Sequence, residues 1–158
     1  TGDLQKNGYS VVGDVLSPEE CGEAVDGVWE YLASLGSGID RSRPKTWGSD
    51  RWPLSAGHGI IQNYKVGQAP FMWYVRMKSN VHKVFAGLWG VEDLVTSFDG
   101  ACVFRPPERT SCSFQPLKGG SWLHCDQSKK TASKVKSVNG WHCIQGGVNL
   151  EASGEGDG

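Results

Sequence analysis

The chain has 158 residues, with 16 basic and 17 acidic side chains and a formal net charge of −1. That balance gives no electrostatic case for nucleic acid or a membrane surface as partner, and no apolar run approaches the ~20 residues of a membrane span. The length suits one domain with a real core, and 22 glycines beside seven tryptophans favour a turn-rich fold with much β-structure.

Residues 1–16 read as a short amphipathic lead followed by a strand, with Tyr9, Val11 and Val12 as β-formers and Gly13-Asp14 as the stop. Thr1 stands where a start Met would, and no signal-peptide pattern follows it. Ser17 is an N-cap, Pro18 suits the first helical position, and Glu20 completes Ser-x-x-Glu, a capping box. Cys21, Ala24, Val25, Val28, Trp29, Leu32 and Leu35 recur at helical spacing, so a helix is expected over 17–35, ending at Gly36 or Gly38. Residues 37–69 look irregular. There Arg41, Arg43, Lys45 and Arg51 are interleaved with Trp47 and Trp52, a pattern that either grips an anion or is a solvated loop pinned by its tryptophans. The second reading is favoured. His58, between glycines, reads as a turn residue.

Residues 70–89 are expected to be helical in two pieces, the first opened by Pro70, the second capped by Ser79 and ended by Gly90. His82 falls on the polar side and is expected to be exposed. From residue 91 the period changes. Leu94, Val95, Phe98, Cys102, Val103 and Phe104 come in short runs broken by Asp99-Gly100 and Pro106-Pro107, which indicates strands. Lys129, Lys130, Lys134 and Lys136 lie in a Ser/Thr/Lys loop that is either merely solvated or a lid attracting an anionic substrate. A further strand is expected over 141–150, and no internal repeat is visible. The five cysteines, Cys21, Cys102, Cys112, Cys125 and Cys143, are odd in number and lack a disulfide framework. They read as free thiols in a reducing intracellular compartment.

The chemistry centres on Ser121-Trp122-Leu123-His124-Cys125-Asp126-Gln127. On a strand, residues i and i+2 leave from one face, so His124 and Asp126 point together and Cys125 points away. One imidazole and one carboxylate supply two corners of a 2-His-1-carboxylate triad for Fe(II), which leaves positions open for substrate and oxygen. The alternative is a half-buried strand end with a hydrogen-bonded His–Asp pair. Zinc fits less well, because His124-Cys125 and His142-Cys143 each give only one ligand to a common face. Trp122 shares the His124 face and can wall the site. Gln145 and Asn149 share a strand face and can orient a cosubstrate or substrate, with a plain polar outer face as the alternative.

Five stretches, in this order, resemble the phytanoyl-CoA dioxygenase-like family of Fe(II)/2-oxoglutarate oxygenases: Asn7 to Val12, Ser17-Pro18-Glu19-Glu20, Asp99 to Pro107, Ser121 to Ser128, and Gly140 to Leu150. The resemblance covers most of the chain. It implies an α+β fold, a double-stranded β-helix (a jelly-roll of the cupin type) with an N-terminal helical layer. Residues 1–90 would form that layer and its loops, and residues 91–158 the first part of the jelly-roll. It implies Fe(II) and 2-oxoglutarate as cofactors, His124 and Asp126 as metal ligands, and Gln145, Asn149 and Trp122 as cofactor-binding. The substrate would be a small organic molecule.

The chain departs from the family in one respect. No His follows His142 and no Arg follows Arg109. The resemblance requires a distal His ligand and an Arg for the 2-oxoglutarate carboxylate, and both would fall beyond Gly158. A single incomplete domain is therefore expected, lacking C-terminal strands and inactive as 158 residues unless His142 turns inward or Arg105 or Arg109 reaches the site. Arg105, before two prolines, otherwise reads as exposed. The competing function is a catalytically silent, dioxygenase-like subunit of a larger assembly, with a protein partner covering the open sheet edge.

Overall fold

The computed structural model describes residues 2–53, 59–106 and 141–154, together with residues 110, 128, 130, 134, 137 and 138. Helix α1 spans Gly2–Asn7 and buries none of its residues. Helix α2 spans Pro18–Ser34, and its start follows the sequence signals closely. The Ser17 hydroxyl accepts from the Glu20 amide at 3.2 Å, and the Glu20 carboxylate accepts from the Ser17 amide at 2.9 Å. Two otherwise orphaned donors are thus satisfied reciprocally. The helix ends at Gly36, whose φ of +72° is a conformation that L side chains resist.

Helices α3, Pro70–Arg76, and α4, Ser79–Trp89, follow a short 3₁₀ turn over Val66–Gln68. Helix α2 packs on α3 at Gly27, where an added Cβ would lie 2.8 Å from the Phe71 Cβ. The hydrophobic stripe of α2 then meets the core, in which Tyr31, Leu32, Ile39, Trp52, Ile61, Val66, Ala69 and Phe71 are buried together. The Tyr31 ring lies 5.7 Å from that of Phe71, and its hydroxyl donates to the Tyr64 carbonyl at 3.2 Å. That bond holds the left-handed pair Tyr64 and Lys65, with φ of 58° and 57°, in the turn before the 3₁₀ segment.

Among the described residues the sheet has two strands, β1 (Ile60–Ile61) and β2 (Ala101–Cys102), antiparallel, with Ile60 opposite Cys102 and Ile61 opposite Ala101. The Val103 amide extends the pairing to the Gly59 carbonyl at 3.0 Å. Gly100 permits this approach, since a Cβ there would sit 2.6 Å from the Ile61 carbonyl oxygen. Among the described residues, no helix is long and apolar enough to cross a membrane.

Four local expectations need correction. Ser79 is the first residue of α4 and not its cap; Lys78 occupies that position without a side-chain cap bond. The strand expected at Tyr9–Val12 is not in a ladder, and Tyr9, Val11 and Val12 are exposed. β-Propensity expresses fit to a half-buried pleated surface, and no neighbouring strand among the described residues offers one. Over 141–150, Trp141 makes a single bridge to Val138, and the residues after it run without ladder partners. Finally, β1 lies inside the segment read as irregular; two residues are too few for period-2 alternation to register.

Candidate metal and cosubstrate site

The chain leaves β2 toward the His124 motif through Val103, Phe104 and Arg105. Arg105 is 7% exposed, contrary to the expectation of an exposed Arg before prolines. Its guanidinium carbon lies 4.7 Å from the centre of the Trp52 ring, and its Nη1 donates to the Trp47 carbonyl at 2.6 Å. Trp52, itself 7% exposed, stands edge-on to Trp29 at 6.5 Å, and Trp47 lies 4.8 Å from Trp29. A buried cation is thus stacked between aromatic surface and a backbone acceptor, the environment a guanidinium tolerates better than an ammonium.

The loop beneath it is fastened from several directions. The Trp47 indole donates to the Asp40 carbonyl at 2.9 Å, and the Thr46 hydroxyl donates to the carbonyls of Arg43 and Asp40. The Asp40 carboxylate accepts from the Ser42 hydroxyl at 2.7 Å, from the Ser42 amide and from Arg43 Nε. These bonds, the Ser42 hydroxyl first, hold its pKa below the usual carboxylate range. Arg41 pairs with Asp26 above the Trp29 ring, and Arg51 lies near Asp50. The interleaved Arg and Trp residues are therefore a pinned loop. The groove beside Asp26, Trp29, Ile39 and Arg41 is shallow and open, and its guanidinium charges are matched by carboxylates.

The proposed metal ligands His124 and Asp126, and Trp122 beside them, lie outside the described residues, as do His58, Arg109 and Lys118. Gln145 and Asn149 are described and exposed, in a stretch without ladder pairing. Gly146 between them lies over α4, where a Cβ would sit 2.6 Å from the Phe85 ring. His142 is exposed. His82 is half-buried, its Nε2 lying 2.8 Å from the Glu92 carbonyl oxygen. Lys130 and Lys134 are exposed, as expected of the Lys-rich loop. Among the described residues, no group of three or more His, Cys, Asp or Glu side chains could hold a metal. Cys21, Cys102 and Cys143 are free thiols.

As residue types, the imidazole of His124 and the carboxylate of Asp126 would fit two corners of an Fe(II) facial triad. The feature that the sequence reading underrated is Arg105. Its partners Trp47 and Trp52 lie more than fifty residues earlier, and the only local hint was the mixture of basic and aromatic residues in that earlier loop.

No family model matches the chain, and no solved structure does. Two curated relatives do. Ava biosynthesis cluster protein O of Aspergillus versicolor is 28% identical over 156 residues, covering 99% of this chain and 46% of that protein. A Dictyostelium discoideum protein, designated by inference a phytanoyl-CoA dioxygenase, is 30% identical over 107 residues, covering 65% of this chain and 30% of that protein. The chain spans less than half the length of either relative. The second match agrees with the resemblance read in the motifs: over 107 residues the chain is similar, at a distance, to a protein designated a phytanoyl-CoA dioxygenase.

Proposed function

We propose that this chain forms part of an Fe(II)/2-oxoglutarate-dependent oxygenase that hydroxylates a small organic substrate, on a jelly-roll whose helical layer is α2 to α4. The observation that carries the reading is His124-x-Asp126 in a chain that aligns over 65% of its length with a protein designated a phytanoyl-CoA dioxygenase. On a strand, His124 and Asp126 would offer the metal two ligands from one face, and a third would come from sequence outside these 158 residues, for which the greater length of both relatives leaves room. When bound, iron would activate dioxygen, the oxidant, with 2-oxoglutarate as co-reductant: one oxygen atom would go to the substrate as hydroxyl and the other to the succinate formed as the cosubstrate loses carbon dioxide. On the same strand, Trp122 would share the His124 face and wall the site. Gln145 and Asn149 orient cosubstrate or substrate if the 141–150 stretch joins the sheet in the longer protein.

The test is iron content after anaerobic loading of a longer chain that includes residues homologous to the relatives' C-terminal parts. The wild type should retain iron, and Asp126→Ala should lose it, because two neutral ligands lack the anionic anchor. Equal iron in both would refute the assignment. Succinate release with Fe(II), ascorbate and 2-oxoglutarate should appear in the longer chain and not in residues 1–158. Turnover by the short chain that disappears in His142→Ala would instead make His142 the third ligand. Iron binding without turnover on any substrate tried would favour the silent-subunit reading.

A further inference from the structure

We draw no further inference here: the strongest candidate, the apolar surface strip formed by Trp73 of α3, the Phe98 ring against it and Met77 just past the helix, carries none, because nothing in the structure shows what covers it.

Discussion

Arg105 shows how much a single side chain can organise when its charge is buried. It ties the end of β2 to the Trp47 carbonyl and to the face of Trp52, joining the strand side of the chain to the loop after α2. Lysine would keep the charge but lose the planar stack and the fixed donor geometry. Arg105→Lys should therefore cost about 1–3 kcal/mol of stability, read as a lower urea midpoint with an unchanged slope. Gly27 acts by absence. Alanine normally gains about 1 kcal/mol over glycine inside a helix. Here its methyl would meet the Phe71 Cβ, which cannot swing away as the tip of a long side chain can. Gly27→Ala should overpack the α2–α3 contact and destabilise by about 1–2 kcal/mol net, whereas Gly22→Ala, with nothing within 4 Å, should stabilise. Equal effects at the two sites would refute the packing argument.

At the scale of elements, the start of α2 is where local chemistry and tertiary packing meet. Glu20 closes the capping box and also accepts from Lys78 at 2.8 Å, while the Lys78 ammonium sits 3.9 Å from the centre of the Tyr74 ring. The Lys78 bond first, and then the Ser17 amide, lower the Glu20 pKa below its ordinary 4.5. The folded state therefore binds its proton less readily than the unfolded chain. Stability from Glu20 is fully present above about pH 4.5 and is lost as pH falls through the folded value. Urea midpoints measured at about pH 6 and about pH 3.5 should fall less in Glu20→Gln than in the wild type. An identical fall would mean that other carboxylates, Asp40 among them, govern the acid limb. Ser17→Ala removes the reciprocal acceptor and should cost about 1 kcal/mol at neutral pH, with loss of helicity confined to α2.

For the whole molecule, the described residues form helices packed around a core with one two-stranded antiparallel pair. The β1–β2 pair has two strands, while Val95, Phe98 and Phe104 beside it are exposed. Open strand edges and exposed apolar side chains favour association with other chain. In the longer protein proposed above, further strands would cover them. The 158-residue chain should then bind a hydrophobic dye such as ANS more strongly than the longer chain does. Comparable dye binding by the two would count against completion of the sheet by added sequence.

The sequence by itself determined the features that depend on a few neighbouring residues. The capping box at Ser17, Pro70 at the first position of α3, and the left-handed stop at Gly90, with φ of +70°, each follow from contacts or backbone preferences within one or two turns. The helical stripe from Ala24 to Leu32 was legible for the same reason. Tertiary structure decided what depends on distant partners. Arg105 is buried because Trp47 and Trp52 meet it across more than fifty residues, and no local signal distinguishes such an Arg from an exposed one before prolines. Tyr9 to Val12 have the composition of a strand, but a strand exists only where a neighbour supplies the other half of its hydrogen bonds.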